Sequence, residues 1–332
     1  MGRRVPFTRI LVLACLGLAL MLTSCGPRKG TAARYPTKPI TLIVPVEAGS
    51  FQDTVTRPVA EVMAKELQQP VVVLNKPGAG GTIGLRDVKG AQPDGYTIGE
   101  TVIAHYGKAI GRLDFDHNDL DVIGAFWAAP PIVWCRTEAP WRSLRELIED
   151  ARARPGKLTM ATSSPPGYWW LVCKMLESVA GVRFDVVPQV GGEGMIPQQL
   201  AGGHVEAGLI GFVGAKPMWE AGKIRPLGVL GPQRLEALKD VPTAMEEGYS
   251  IGMEGALLGY LVGPKGMPEE ATEALQAAFL RAAGSPQYQT FGAGQGISTM
   301  AVAGADAVRL IEEHASSLKP HLDRLIQEGL IK

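Results

Sequence analysis

The fold is decided by residues 40–74, which read ITLIVPVEAGSFQDTVTRPVAEVMAKELQQPVVVL. The β-branched and aliphatic run at 40–44 predicts a buried strand, and the run at 71–74 predicts a second one. Between them, apolar residues at helical spacing predict an amphipathic helix over 54–67. A strand, a helix and a second strand in this order are typical of an α/β protein with a parallel sheet.

The same alternation of strand and helix patterns continues along the rest of the chain. Ser143 and Glu146 form a capping-box pattern that begins a helix, and Pro268 suits the first turn of another. Further strands are predicted at 96–103, 158–161, 184–187, 205–210 and 224–230. Further helices are predicted at 143–153, 268–282 and 308–325. The pattern predicts an α/β fold with mixed, mostly parallel sheets and helices on both faces.

The length and composition of the chain exclude two classes of protein, general nucleic-acid binders and disulfide scaffolds. The chain has 332 residues, 33 basic and 33 acidic side chains, and 46% hydrophobic residues. This length predicts two domains, and the balanced charge excludes a general nucleic-acid binder, which needs a basic surface. Four cysteines in 332 residues are too few for a disulfide scaffold. We interpret Cys135 and Cys173 as buried thiols, with a disulfide between them as the alternative.

The N-terminus has the pattern of a secretory signal. Three arginines precede an apolar run at 10–22, which is shorter than the ~20 residues that span a bilayer. The following Leu-Thr-Ser-Cys, residues 22–25, resembles the bacterial lipobox. We therefore expect a lipoprotein signal peptide at 1–24, a lipid on Cys25, a tether over 25–35 and an extracytoplasmic, membrane-anchored protein. An ordinary signal with a chance cysteine is the alternative.

Motifs for catalysis are absent from the sequence. There is no Gly-x-Ser-x-Gly elbow, and residues 78–83, GAGGTI, lack the third glycine of a dinucleotide fingerprint and the lysine of a P-loop. We interpret them as a turn in which Thr82 caps the next helix. Residues 114–119 lack the glycine of a calcium loop and are interpreted as a turn or helix start. The five histidines have no metal spacing. The sequence predicts no enzyme, no metal and no cofactor.

Six segments of the chain, in order, resemble the Bug-type receptors of tripartite tricarboxylate transporters. They are YPTKPITLIVP (35–45), QPVVVLNKPGAGG (69–81), PDGYT (93–97), RPGKL (154–158), AGKIRPL (221–227) and DVPT (240–243). The resemblance implies a type II-like periplasmic-binding-protein fold, in which the chain crosses between two domains near 125–137 and 245–256 and a ligand cleft lies between them. It implies one discontinuous domain from 36–130 and 250–332, and a second domain over 131–249.

The same resemblance implies a function. Such a receptor captures a small organic solute, with a carboxylate as its expected anionic group, and delivers it to the membrane permease subunits of a tripartite tricarboxylate transporter. We expect it to act as a monomer. A sensory module on the same fold, delivering its ligand to a signalling receptor, is the alternative.

Loops that follow strands are the expected walls of the pocket, because ligands of open α/β sheets lie beyond the carboxyl ends of strands, where helix N-termini present N–H groups. The loops at 45–53, 162–167 and 191–194 fit, and in the family their equivalents hold a ligand carboxylate; plain turns are the alternative. The candidate ligand-binding residues are Glu47, Ala48, Gly49, Ser50, Phe51, Asp53, Thr162, Ser163, Ser164, Gly167, Tyr168, Gly191, Gly192 and Ile210.

The departures from the family pattern concern the ligand. Ile210 stands where an aspartate is usual, and aromatic residues at 168–170 replace a Gly/Ser-rich run. If Glu47 faces the cleft, we expect a ligand with a donor or cationic group and an apolar or aromatic body, on which Phe51 and an aromatic residue of 168–170 stack. If Glu47 faces solvent and the aromatic residues lie in the core, an ordinary monocarboxylate is expected.

Overall fold

A computed structural model describes residues 35–189 and 194–331. The predicted signal peptide, Cys25 and most of the predicted tether therefore lie outside the described residues. A compact unit begins at Lys38, and the described residues contain eleven strands and nine α-helices. No helix within 35–189 or 194–331 is long and apolar enough to cross a membrane.

The elements alternate as the sequence patterns predict. The strands are β1 (Ile40–Val44), β2 (Val71–Asn75), β3 (Thr97–Thr101), β4 (Leu120–Ala129), β5 (Ile132–Arg136), β6 (Thr159–Ser163), β7 (Asp185–Gln189), β8 (Ala207–Ile210), β9 (Ile224–Val229), β10 (Leu257–Pro264) and β11 (Ser298–Ala303). The helices are α1 (Phe51–Leu67), α2 (Thr82–Lys89), α3 (Leu144–Ala153), α4 (Tyr168–Ala180), α5 (Met195–Ala201), α6 (Phe212–Glu220), α7 (Glu269–Ala283), α8 (Pro286–Gly294) and α9 (Gly304–Gln327).

Two mixed sheets form the framework of the compact unit. The first has the strand order β11-β4-β10-β3-β1-β2, and the second has the order β7-β6-β8-β5-β9. The predicted βα repeats pair in parallel, with β1 between β2 and β3 and with β6 between β7 and β8. The other five strand pairings are antiparallel, so parallel pairing covers four of nine.

Each antiparallel pairing includes β4, β5 or β10, the strands on which the chain leaves a sheet or enters one. It leaves the first sheet at Ala129, enters the second at Ile132, and returns between Val229 and Leu257. A strand that continues directly into the other sheet, or returns from it, has no helical crossover to turn it parallel to its neighbour. The α/β fold with two mixed sheets agrees with the prediction. The predicted domain limits remain a proposal.

Each sheet has its own buried layer. β4 is buried along almost its whole length, and Trp127 on it is fully buried. In the second sheet, Trp134 of β5 is fully buried and donates its indole N–H to the carbonyl oxygen of Ile210 at 3.2 Å. Cys135 and Cys173 are free and buried, as the sequence analysis favoured. Burial raises the pKa of the Cys135 thiol to about 11.

Three predicted local features can be compared with the structure. Ser143 accepts a hydrogen bond from the Glu146 backbone N–H at 3.2 Å, while the Glu146 carboxylate accepts from Arg142 rather than from the Ser143 backbone. Asp116 caps a turn of 3₁₀ helix at His117–Asp119, which confirms a turn there. The prediction that Thr82 caps α2 is wrong, because Gly81 occupies the cap position at φ 92°, a conformation that favours glycine.

Candidate functional site

A cavity of about 400 Å³ is bounded by elements from both sheets. This volume is within the range of ordinary small-molecule sites. Its lining residues are Val46, Ser50, Phe51, Gln52, Ala129, Trp169, Gly194, Ile210, Gly211, Phe212, Val213, Gly214, Leu257, Gln295, Gly296 and Ile297. They come from the β1–α1, β8–α6 and α8–β11 loops, from the start of α4, and from the two places where the chain changes sheet. Most of them are apolar, and none carries a charge.

The buried side chain of Asp53 holds the β1–α1 loop through hydrogen bonds. Its buried carboxylate accepts hydrogen bonds from the Gly49 backbone N–H at 2.8 Å, from Arg57 at 2.9 Å and from the Asn75 amide at 2.9 Å. Burial alone would raise the pKa of Asp53, but these hydrogen bonds outweigh it and lower the pKa below its usual value. The carboxylate is therefore committed to holding the loop, and the residues that reach the cavity are its neighbours Ser50, Phe51 and Gln52.

Three helices begin at this cavity. Phe51 is the first residue of α1, Phe212 is the first residue of α6, and Trp169 is the second residue of α4. The N-cap residues Ser50, Gly167 and Gly211 make no side-chain cap hydrogen bond. In the first turn of α4, the Trp170 backbone N–H donates to the Ser163 hydroxyl at 3.2 Å. The first turn of a helix has unsatisfied N–H groups and a partial positive charge, which favour an anion.

The three aromatic residues at the start of α4 point in different directions, because successive residues of a helix are about 100° apart. The Tyr168 hydroxyl donates to the carbonyl oxygens of Glu254 at 2.9 Å and Ala256 at 2.8 Å, on the segment that returns to the first sheet. Trp169 lines the cavity and is 3% exposed, yet its buried Nε1 has no hydrogen-bond partner among the described residues. Trp170 is buried outside the cavity lining.

Gln52 connects the cavity to a buried carboxyl group. Its Nε2 donates to Glu100 Oε2 at 2.8 Å, and Glu100 is 1% exposed in β3. Burial raises the pKa of Glu100 to about 8, against a lowering by the hydrogen bond from Gln52. Glu100 is therefore largely neutral at pH 7.

Of the candidate ligand-binding residues, the structure brings Ser50, Phe51 and Ile210 to the cavity. The other candidates of the described chain lie outside its lining. Glu47, Ala48 and Gly49 are exposed at the edge of the first loop, and Asp53 is buried beneath it. Thr162 and Ser163 are the last residues of β6, Ser164 and Gly167 belong to the turn before α4, and Tyr168 is the first residue of α4. Gly191 and Gly192 lie outside the described residues. Their ligand-binding roles remain predictions.

Several lining residues were not among the candidates. Gln52, Phe212 and the α8–β11 loop at 295–297 reach the cavity through their place in the fold. Phe212 follows β8, so the rule that ligands lie beyond the carboxyl ends of strands could have found it. The 295–297 loop has no such signal, because it enters an antiparallel edge strand. Gly296, at φ 61°, lies against Phe212, which a Cβ there would approach to 2.5 Å.

Metal chemistry finds no support in the described residues. Within 35–189 and 194–331, no group of three or more His, Cys, Asp or Glu side chains is placed to hold a metal ion. What the cavity offers is apolar surface, two side-chain amides, a buried indole N–H and three helix N-termini. This arrangement can bind an organic anion.

Comparison with known proteins agrees with this geometry. The model of the tripartite tricarboxylate transporter family receptor matches residues 55–328. A UPF0065 protein of Cupriavidus necator is 32% identical over 282 residues, or 83% of this chain and 82% of the relative. The structure of MatC from Rhodopseudomonas palustris with bound malate has a TM-score of 0.72 at 26% identity, over 87% of this chain and 100% of MatC. An R. palustris protein solved with adipate has a TM-score of 0.75 at 26% identity, over 87% of this chain and 97% of that one.

The family match spans most of the chain, and the fold similarity extends over both sheets. Members of this family are periplasmic solute-binding receptors rather than enzymes. The chain therefore belongs to the receptors of the tripartite tricarboxylate transporter family, the Bug-type extracytoplasmic solute-binding proteins.

Proposed function

We propose that this protein captures a small organic carboxylate in the cavity between its two sheets and delivers it to the permease subunits of a tripartite tricarboxylate-type transporter. The two relatives solved with malate and with adipate support a carboxylate as the ligand. Membership of the family supports delivery to a permease.

The observation that carries the proposal is the convergence of three helix N-termini on one cavity, of which those of α1 and α6 have no side-chain cap from their N-cap residue. A carboxylate placed there can accept hydrogen bonds from first-turn N–H groups that lack an intrahelical partner. Trp169 adds a buried donor, since an indole N–H can donate but not accept. Among the described residues, no anionic side chain lines the cavity to repel the ligand.

The body of the solute is apolar. Phe51, Phe212, Ile210 and Ile297 contribute apolar walls, and Phe51 is held in place by an edge-to-face contact with Trp127 at 5.1 Å. Glu47 is exposed and outside the lining, which favours the alternative of a monocarboxylate over a ligand with a cationic group. An alkyl or aryl monocarboxylate suits both the walls and the helix N-termini.

Isothermal titration calorimetry tests this function. We expect the purified protein to bind at least one of malate, adipate and 3-phenylpropionate with a 1:1 stoichiometry, and to release it chemically unchanged. The matched primary amine, 3-phenylpropylamine, should not bind, because the helix N-termini repel a cation. Absence of binding to every carboxylate, or turnover of a bound one, would reject the proposal.

Anchoring and domain closure are further parts of the proposal. A lipid on Cys25 would keep the receptor near its permease, and stable anchoring requires more than one acyl chain. Cys25→Ser should move the protein from the membrane fraction to the soluble fraction; an unmodified N-terminus at another residue in the intact mass would contradict the anchor.

Domain closure would bring the first proposed domain, residues 36–130 and 250–332, onto the second, residues 131–249. This closure should reduce the radius of gyration in small-angle scattering when a carboxylate saturates the protein.

A further inference from the structure

Glu100 is a carboxyl group with little to stabilise its charge. It is 1% exposed, Gln52 is its hydrogen-bond donor, and Oε1 has no partner among the described residues. A negative charge on Glu100 would act on two tyrosines, Tyr260 of β10 and Tyr288 of α8. Burial is the main cause that raises the pKa of both hydroxyls, and Glu100 adds to it. No basic side chain of the described chain offsets a negative charge on Glu100.

Gln52 is the link between this carboxyl group and the cavity. Its Nε2 is held by Glu100, while its Oε1 receives no hydrogen bond from the described residues. The side-chain amide is planar, so fixing Nε2 also fixes the direction of the carbonyl oxygen. The charged neighbours of Gln52 on α1, Asp53 and Arg57, are paired with each other and do not line the cavity.

Resting on the proposed function, we infer that Glu100 is a positioning residue that fixes the Gln52 amide, and that the Gln52 carbonyl oxygen selects a solute bearing a hydroxyl or amide N–H beside its carboxylate. A solute with only C–H groups at that point would bury the Gln52 carbonyl oxygen without a partner. An unpaired buried acceptor has a free-energy cost, so such a solute binds more weakly.

The matched pair 3-phenyllactate and 3-phenylpropionate tests this selection, because the two differ by one hydroxyl. In calorimetry at pH 7 we expect the wild-type protein to bind 3-phenyllactate about two- to tenfold more tightly, the range of one net hydrogen bond. Gln52→Leu and Glu100→Leu should bring this ratio to about one. Gln327→Leu, an exposed glutamine at the end of α9, is the control and should leave the ratio unchanged.

Glu100→Gln separates positioning from a merely structural role. Its amide oxygen can still accept from Gln52 Nε2, so the preference for 3-phenyllactate should remain. In the wild-type protein, ionisation of Glu100 above about pH 8 places a negative charge behind Gln52, so carboxylate affinity should fall between pH 7 and pH 9. In Glu100→Gln this fall should disappear. If the Gln52→Leu and Glu100→Leu variants do not fold, the comparison of the pH profiles of wild type and Glu100→Gln tests the inference instead.

The outcomes distinguish the two proposals. Equal affinity of the wild-type protein for both probes, or a pH profile unchanged in Glu100→Gln, overturns the inference and leaves the proposed function standing. If the protein binds malate or adipate but neither 3-phenyllactate nor 3-phenylpropionate, the inference is again overturned and the proposed function is left standing. Failure of every carboxylate to bind overturns the proposed function and, with it, this inference.

Discussion

His314 Nδ1 lies 3.0 Å from His105 Nε2, joining α9 to the segment after β3 inside the protein. His314 Nε2 faces two carbonyl oxygens, of Met253 at 3.1 Å and Ala256 at 2.9 Å, and must carry a proton to bond to them. A neutral His314 then accepts from His105 Nε2, and His105 Nδ1 accepts from the Tyr260 hydroxyl at 3.1 Å. In this arrangement both imidazoles are neutral, and each of their four ring nitrogens has a partner.

Acid should therefore weaken the fold through this histidine pair. Burial is the main cause that lowers the pKa of both His105 and His314 below the usual 6.5. The unfolded chain takes up these protons first, so the stabilisation is complete above about pH 6.5 and is lost as the pH falls below it. His314→Gln keeps a donor and an acceptor without a titratable group. The difference in unfolding free energy between wild type and His314→Gln should shrink from pH 8 to pH 5 in urea titrations.

The exposed His204 provides the control for this prediction. His204→Gln should leave unfolding free energy within about 0.5 kcal/mol of wild type at both pH values, as is usual for surface substitutions. A difference between wild type and His314→Gln that does not change with pH would contradict the neutral-pair assignment.

Glu100 should give the stability of the fold a pH dependence opposite to that of the His105–His314 pair. Its pKa is about 8 in the folded protein and near 4.5 in the unfolded chain, so folding takes up a proton between these values. The contribution of Glu100 to stability is therefore greatest below about pH 4.5 and declines as the pH rises from about 4.5 to 8. Relative to wild type, Glu100→Gln should gain stability on going from pH 6 to pH 9, by an amount on the order of 2 kcal/mol or more. Equal thermal shifts for both proteins across this range would show that Glu100 is already ionised at pH 6.

Replacing Trp169 by phenylalanine removes one N–H group while keeping most of the aromatic surface. Because the indole Nε1 is a buried donor without a partner among residues 35–189 and 194–331, we expect carboxylate affinity to fall about three- to tenfold in calorimetry. Trp141→Phe is the matched control, since the Trp141 indole donates to Asp150 at 3.0 Å away from the cavity lining. Unchanged affinity in Trp169→Phe would mean that the indole N–H does not contact the solute.

Asp53→Asn should destabilise the β1–α1 loop rather than remove a ligand contact. The substitution removes the negative charge that holds Gly49, Arg57 and Asn75, and should lower unfolding free energy by about 1–3 kcal/mol. The pKa of Asp53 lies below 3.8, so the wild-type contribution is present above that pH and lost as the pH falls through the folded value. Asp87→Asn, in a half-exposed pair with Lys76, should change stability by less than about 1 kcal/mol in the same melts.

Local patterns predicted the elements whose periodicity is strong. The strands at 40–44, 71–75 and 224–229 and the helix at 51–67 lie within a few residues of their predicted bounds. β4 and β10 were not predicted, because both are buried on both faces and show no alternation. These are the strands on which the chain changes sheet or returns, so their pairing depends on contacts distant in sequence.

The site was predicted less fully than the fold, for a related reason. Ser50 and Phe51 follow β1, and Ile210 is the last residue of β8, so all three lie at the carboxyl ends of strands with a parallel neighbour, where the rule for α/β sheets applies. Glu100 and Gln52 are 48 residues apart, and no sequence pattern shows that a carboxyl group inside β3 meets an amide on α1. Glu47 was a candidate through its position in the loop, with both a cleft-facing and a solvent-facing side chain left open, and the structure exposes it.

The indole of Trp169 in the cavity wall has a practical consequence for spectroscopy. The emission of an indole shifts with the polarity of its surroundings and with hydrogen bonding of its N–H. A solute that enters the cavity replaces water beside Trp169 and offers its buried N–H an acceptor, so the fluorescence of this one side chain should change on binding. The protein thus contains an intrinsic optical reporter of its own occupancy, with which ligands can be screened without a label.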